Sequence, residues 1–241
     1  MSEFYTSLLV HGEAKSGKTE LGATAPGRVL YLDSEAGGFR YVEAKRIAWD
    51  PLRGEVPDAG DWKICRVTVK DVLTFNTALD FVERGKHPFN SVVWDSITEA
   101  QTYMKRDKSA TYKLQQDEWG ELLATIESAI MRLRDSVECQ EQMKALVVIA
   151  QSALRDDGKL APAIQGAMKH KLAYKLDITG QLFTAYDGAG ELRRGLRIQE
   201  DRTAVAGARW PRGLEKPEVI WDPRIDTIQD MLEQHMRTHA V

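Results

Sequence analysis

An α/β fold, with a mostly parallel central sheet flanked by helices, is the class this sequence predicts, and three observations predict it. Apolar runs of strand length alternate with amphipathic runs of helix length along most of the 241 residues, as crossover connections between parallel strands require. The first strand-like run leads directly into Gly12-Glu13-Ala14-Lys15-Ser16-Gly17-Lys18-Thr19. This stretch has the form G-x-x-x-x-G-K-[ST], and a strand before it with a helix after it is the context that marks a P-loop. Near the C-terminus several short strand-like runs follow one another, so antiparallel additions to the sheet are expected there.

Ser7 to His11 is the first apolar strand, and Lys18 to Ala25 is a helix that stops before Pro26-Gly27. Between them, glycines let the backbone curl so that successive N–H groups point into one concavity suited to phosphate oxygens. The helix N-terminus adds partial positive charge. Gly12, Glu13, Ala14, Lys15, Ser16, Gly17, Lys18, Thr19 and Glu20 are therefore the candidate nucleotide-binding residues. Lys18 brings a full charge to the β- and γ-phosphates, and the Thr19 hydroxyl can ligate Mg²⁺. ATP and Mg²⁺ are the implied cofactors.

Arg28 to Asp33 reads as the second strand, followed by the polar tip Ser34-Glu35-Ala36-Gly37-Gly38. Open α/β sheets place ligand-binding loops at such tips. Residues 44–62 carry Pro51, Gly54, Pro57 and Gly60 and read as an irregular excursion or hairpin. Ile64 to Thr68 resumes strand character, and Val72, Phe75, Leu79 and Val82 then fall at helical spacing up to Gly85. Ser91 to Asp95 is an apolar strand ending in an acid, the form of a Walker B motif, which makes Asp95 the second candidate for the Mg²⁺ shell.

Between 100 and 118 the sequence mixes Tyr103, Lys105, Arg106, Lys108, Tyr112 and Lys113 without a clear apolar stripe. The mixture fits a mobile loop that touches nucleic acid by charge and stacking, and equally a solvated helical face. Trp119, Leu122, Leu123, Ile126, Ile130, Leu133 and Val137 predict a long amphipathic helix. Lys144 to Gln151 is a buried strand ending in an amide, and the polar, basic stretch from Ser152 to His170 is expected to be a long loop. Ile178 to Tyr186, Arg194 to Gln199 and Val219 to Trp221 read as further strands. Asp222-Pro223 reads as an N-cap with a first-turn proline, opening a last helix with Ile225, Ile228, Leu232 and His235. One domain over residues 1–241 is expected, with 215–241 a C-terminal extension ending in that helix.

Charged residues at 29% and hydrophobic residues at 43% suit an ordinary globular protein. Cys65 and Cys139 are far apart, without metal-type spacing, and read as buried thiols of a reducing compartment. No apolar run reaches membrane-span length, and Met1-Ser2-Glu3-Phe4 does not open a leader pattern. The expected setting is therefore the cytoplasm, with no membrane partner. The net charge of −3 conceals an asymmetry, with −4 over residues 1–150 and +4 over residues 151–214. A basic third quarter can mark a polyanion-binding surface, and it can equally be statistical scatter.

The order of these motifs resembles the RecA-like core. The strand ending Asp33-Ser34-Glu35 is similar to that fold's strand carrying a catalytic glutamate, and Val92-Val93-Trp94-Asp95-Ser96 to its Walker B strand with the following serine. Ile149-Ala150-Gln151 resembles the strand end whose glutamine senses the γ-phosphate and leads into a DNA-binding loop, and Gly166 to Leu172 echoes the end of that loop. Within that fold the chain resembles the phage-encoded RecA-like core ATPases, AAA-type P-loop nucleotide-binding proteins that include ATP-dependent single-strand annealing recombinases. The resemblance covers roughly residues 5–200. It implies that Lys18 contacts the phosphates, Thr19 and Asp95 serve Mg²⁺, Glu35 orients or deprotonates the attacking water, and Gln151 reports the γ-phosphate. It further implies single-stranded DNA, other copies in a ring or filament and a single-strand DNA-binding protein as partners, in a host cytoplasm. On the residues alone, Glu35 can also be a solvated loop acid and Gln151 a strand-end amide bonding backbone.

Two functions from different classes follow. One is an ATPase that binds single-stranded DNA and supports recombination or strand annealing. The other is a nucleotide-dependent switch for protein partners with little ATPase and no DNA role. A small-molecule kinase is disfavoured because no Arg-rich lid follows a short helix pair. Arg40 and Tyr41 are candidates for the adenine pocket, and Arg202 or Arg209 for an arginine that reaches a neighbour's nucleotide.

Overall fold

The computed structural model describes residues 4–35, 38–108, 113–166 and 168–239, apart from the side chains of Lys169, His170 and His239. Strand β1 (Thr6–Gly12) leads through the P-loop into helix α1 (Lys18–Ala23), then β2 (Val29–Asp33), a 3-10 turn (Gly38–Tyr41), β3 (Arg46–Ala48) and β4 (Ile64–Thr68). Helix α2 (Val72–Glu83), β5 (Ser91–Asp95), α3 (Ile97–Lys108), α4 (Gln116–Cys139) and β6 (Ala145–Leu154) follow. The remainder is β7 (Leu160–Pro162), α5 (Met168–Lys175), β8 (Ile178–Tyr186), β9 (Leu192–Arg197), β10 (Gly207–Ala208), β11 (Val219–Trp221) and α6 (Ile225–His239).

The strands form one sheet in the order β11-β9-β8-β1-β6-β5-β2-β4-β3. From β8 to β3 every neighbouring pair is parallel, while β9, β10 and β11 join antiparallel. This is the mostly parallel sheet with late antiparallel additions that the sequence predicts. Parallel strands covered on both faces must be apolar on both faces, and here they are. Leu9, Leu30, Leu32, Val92, Trp94, Leu146 and Val148 face the layer that holds α2, α4 and α5. Their alternate neighbours Leu8, Val10, Val29, Tyr31, Val93, Val147 and Ile149 face the layer of α1 and α6. Helix α4 contributes Leu122, Ile126, Ile130, Leu133 and Val137, all buried, as its spacing predicts. The Asp71 carboxylate caps α2 by accepting from the Thr74 N–H at 2.7 Å, and Gly85 ends that helix at φ 69°. In α1, a Cβ on Gly22 would stand 2.9 Å from Val93 and 3.1 Å from Ile149, so the glycine lets the helix lie close on the sheet.

Several expectations are corrected. Residues 44–62 are the irregular excursion and not the hairpin, except that Arg46–Ala48 adds a parallel edge strand to β4. Of the two alternatives for 100–118, the helical one holds up to Lys108, within a helix whose Ile97, Ala100, Gln101 and Met104 face inward; residues 109–112, including Tyr112, lie outside the described residues. The stretch after Gln151 is not a long loop. Strand β6 continues to Leu154 and pairs antiparallel with β7, turning at Asp157-Gly158 with Gly158 at φ 79°, a dipeptide that favours such turns. Met168 and Leu172, spaced by four, then bury the inner face of α5, and Leu176 is buried just past its end. Asp222 does not cap the last helix: its carboxylate is held by Arg193 at 2.5 Å. The Thr24 hydroxyl accepts from the Ile225 N–H at 2.8 Å instead. Cys65 is buried as expected, but Cys139 is exposed. Among the described residues, no helix is long and apolar enough to cross a membrane.

Candidate nucleotide site

The parallel register brings the site residues to one edge of the sheet. Gly12 lies level with Gln151 on β6, and Asp33 level with Asp95 on β5. Because β6 lies between the P-loop strand and the Walker B strand, the tip of Gln151 stands between the loop and the two acidic tips.

The loop itself is tightly wound. Lys15 has φ 65° and Gly17 has φ 93°, and a Cβ on Gly12 would stand 2.5 Å from the Leu182 carbonyl oxygen and 2.7 Å from Ser16 Oγ. No side chain fits at Gly12. Lys18 is buried, and its Nζ donates to the carbonyls of Gly12 at 3.0 Å and Glu13 at 2.7 Å. Burial lowers the pKa of its ammonium group, opposed by the charges of Glu35 and Asp95. Glu13, Ala14 and Lys15 are exposed at the rim, Ser16 is buried, and the Glu20 side chain turns to an ion pair with Arg194.

Asp95 is the acid that the fold buries deepest here. It accepts from Thr19 Oγ1 at 2.7 Å and from the Tyr31 hydroxyl at 2.7 Å. Burial raises its pKa to about 6, although both hydroxyls pull the other way. The Asp95–Ser96 peptide bond is cis. Asp33 is buried as well, but Arg66 holds it at 2.5 Å, and its other oxygen accepts from the Glu35 N–H at 3.0 Å. Asp33 therefore shapes the tip on which Glu35 stands. The Glu35 carboxylate accepts from Ser96 Oγ at 3.1 Å and from the Gln151 amide at 3.4 Å. The same amide reaches Glu99 at 3.4 Å, and the Gln151 N–H donates to Thr98 Oγ1 at 3.0 Å. Glu35, Asp95 and Gln151, predicted from three separate strand ends, are thus brought together next to Thr19.

Three polar atoms in this cluster, Asp95 Oδ1, Ser16 Oγ and Ser34 Oγ, are buried without a hydrogen-bond partner among the described residues. Burying such atoms unpaired is costly, so they fit a site made for a polar ligand. Among the described residues no three His, Cys, Asp or Glu side chains could hold a metal on their own. Mg²⁺ keeps waters and phosphate oxygens and takes only one or two protein groups. Thr19 and Asp95 can supply those.

A family model described as an AAA domain matches residues 5–210. The chain belongs to that family. The match spans the P-loop, all three predicted strand tips and β8 to β9, and it indicates an AAA-type P-loop ATPase domain that binds nucleotide. Comparison with curated proteins gave no match.

The 3-10 turn of the AAA domain starts beside the site, where a Cβ on Gly38 would stand 3.4 Å from Thr19 Oγ1. Tyr41 is 72% exposed on the 3-10 turn, and the Arg40 guanidinium stacks over it at 5.7 Å. Arg209 is engaged within its own chain, at 3.3 Å from Asp177 and 2.9 Å from the Tyr174 carbonyl, while Arg202 is exposed. The basic stretch 151–214 is largely paired internally: Arg155 with Asp157, Lys159 with Glu200, Lys171 and Lys175 with Glu127, Arg197 with Asp201. Lys105 lies over Trp119 at 4.6 Å and Arg106 over Tyr103 at 5.1 Å, so that base-aromatic mixture is also satisfied within the chain. Sequence reasoning missed Tyr31, Arg66, Glu99 and Arg194. A tyrosine in a buried strand must find a partner for its hydroxyl, which was the one available signal; the other three are ordinary surface types whose contacts depend on register.

Proposed function

We propose that this AAA domain binds ATP with Mg²⁺ and hydrolyses it, and that the nucleotide state controls binding of single-stranded DNA in recombination or strand annealing. One observation carries the hydrolytic reading: Glu35 is linked to Ser96 and Gln151 beside an Asp95 that already holds the Thr19 hydroxyl. An acid for water, an amide that can detect a phosphate and a metal-binding pair thus share one edge.

In this mechanism Lys18 and the P-loop N–H groups bind the phosphate chain. Thr19 and Asp95 would hold Mg²⁺, which would supply positive charge to neutralise the phosphates. Glu35 orients the attacking water and takes its proton, with Ser96 Oγ fixing one carboxylate oxygen. Phosphoryl transfer needs positioning and charge neutralisation more than covalent help. Gln151 would exchange its contact with Glu35 for the γ-phosphate and move with it the hairpin of β6 and β7, since both belong to one continuous strand. Self-association into a ring or filament and a single-strand DNA-binding partner complete the proposal.

The DNA part rests on that hairpin, which carries Arg155 and Lys159 beyond the sheet edge. The internal pairing of those cations and the 72% exposure of Leu154 at the hairpin favour the second reading, a nucleotide-dependent switch for a protein partner. Single-stranded DNA binding measured with and without ATP and Mg²⁺ separates them. Under the first reading ATP tightens binding and salt weakens it steeply, because neutralised phosphates release counterions. Absence of any binding at low salt and micromolar protein leaves the switch. Changing Lys169 and Lys171 to Ala together should flatten the salt slope by up to about two units.

A further inference from the structure

We infer that Arg194 binds the α- and β-phosphate end of the nucleotide from within the same chain, with Glu20 as the carboxylate that holds it in place. The inference rests on the nucleotide reading of the P-loop. Arg194 lies on β9, two strands from the P-loop strand across β8. Its backbone is fixed: it pairs with Thr184 in the β8–β9 ladder, and its carbonyl accepts from the Asp222 N–H at 2.7 Å. Alternation along a strand sends successive side chains to opposite faces. Arg193 accordingly turns to Asp222 and Trp221, and Arg194 turns to the P-loop.

There the guanidinium lies against the loop backbone. A Cβ on Gly17 would stand 2.7 Å from Arg194 Nε and 2.8 Å from its Cζ, so this glycine serves the approach of the arginine as well as its own φ of 93°. The other contact is the ion pair with Glu20, in which both side chains are 46% exposed. Half-exposed pairs of this kind are weak, so a phosphate oxygen can take the guanidinium from Glu20. Arg194 and Lys18 thus flank one loop with two cations.

The side of approach decides which end of the nucleotide is involved. Asp95, Glu35 and Gln151 all stand on the β6–β5–β2 side of β1, where the γ-phosphate must be to meet them. Arg194 comes from the β8–β9 side, and so meets the phosphates nearest the ribose. Both ATP and ADP carry those phosphates.

The test is direct titration of ATP and ADP, with Mg²⁺, into wild type, Arg194→Ala, Arg194→Lys and Lys18→Ala, with melting temperatures as the folding control. Arg194→Ala is expected to weaken both nucleotides by about tenfold or more, the scale of one lost hydrogen bond to a charged group. Arg194→Lys should recover part of it, and in turnover the loss should fall on KM more than on kcat. Affinities of Arg194→Ala within twofold of wild type, while Lys18→Ala has lost both nucleotides, overturn the inference and leave the P-loop reading standing. Weakening of ATP alone, with ADP unchanged, also overturns it by moving the arginine to the γ end. Unchanged affinity in Lys18→Ala overturns the P-loop reading and this inference with it.

Discussion

The two flanks of the P-loop strand are built by different rules. On one flank β6, β5 and β2 are parallel and buried, and their tips carry Gln151, Asp95 and Glu35. Each of those groups is fixed by a neighbour: Asp95 by Tyr31 and Thr19, Glu35 by Ser96, and the Glu35 turn by Asp33 with Arg66. On the other flank the chain turns antiparallel at β9, and the group it brings to the loop is a half-exposed arginine. The first flank suits chemistry that needs a fixed acid and a placed water. The second suits a charge that can move when a ligand arrives.

The largest effect should come from the loop between the flanks. Lys18→Ala should lower turnover by at least about 100- to 1000-fold, the scale for losing one fixed transition-state donor, and should remove ATP binding in a titration. The melting temperature should hold, since Lys18 Nζ bonds only to carbonyls of its own loop. Wild-type turnover in that variant would break the comparison at its centre.

Asp95→Asn sharpens what the buried flank costs. The Asp95 carboxyl is raised by burial to about 6, so it contributes stability that is present below its ordinary value of 3.8 and is lost as pH rises through about 6. At pH 7 the metal-free variant should therefore melt above wild type. Its Mg²⁺-dependent affinity for ATP should fall about 10- to 100-fold, as for other groups that hold a metal through water. A variant that melts lower and keeps that affinity would make Asp95 a structural residue.

Gln151→Ala should leave ATP affinity and ATP-free DNA binding in place and remove the ATP-induced gain, about fivefold or more for an ordinary coupling. An intact gain would uncouple the hairpin from the site. The last effect is a pH slope. His11 is fully buried between Ser152 Oγ and the Val205 carbonyl, each at 2.8 Å, and burial lowers its pKa to about 4. Its contribution is present above the ordinary value of 6.5 and is lost as pH falls through about 4. In an Asp95→Asn background, which removes the opposite slope, stability should fall by roughly 1–3 kcal/mol over that range. Adding His11→Asn should flatten the curve, and an unchanged curve would place the slope elsewhere.

The buried flank was the legible one. Parallel strands such as Val29–Asp33 and Ser91–Asp95 read as continuous apolar runs that end in acids, and a P-loop upstream gives those ends a meaning. The half-exposed flank was not legible in the same way. Leu192–Arg197 alternates too weakly to fix a register, and without register nothing in Arg193-Arg194 says which arginine faces the loop. The hairpin after Gln151 is hard to see because Ser152-Ala153-Leu154 is short and runs into the polar Arg155-Asp156-Asp157-Gly158-Lys159, although Asp157-Gly158 marks its turn. Helix α5 is hard to see because its two inward residues, Met168 and Leu172, stand among basic ones. The balance of +4 over 151–214 already subtracts Asp157 and Glu200, but not Glu127, which lies outside that stretch on α4 and pairs with Lys171 and Lys175.

The most direct measurement compares binding and turnover in one variant of the acid flank. Glu35→Gln keeps the size of the side chain and an oxygen for Ser96, and removes the base. It should bind ATP with Mg²⁺ as wild type does and turn over about a hundredfold more slowly, the scale for a lost general base. Unchanged turnover with unchanged binding would make Glu35 a loop acid and contradict the assignment of this flank to the chemistry.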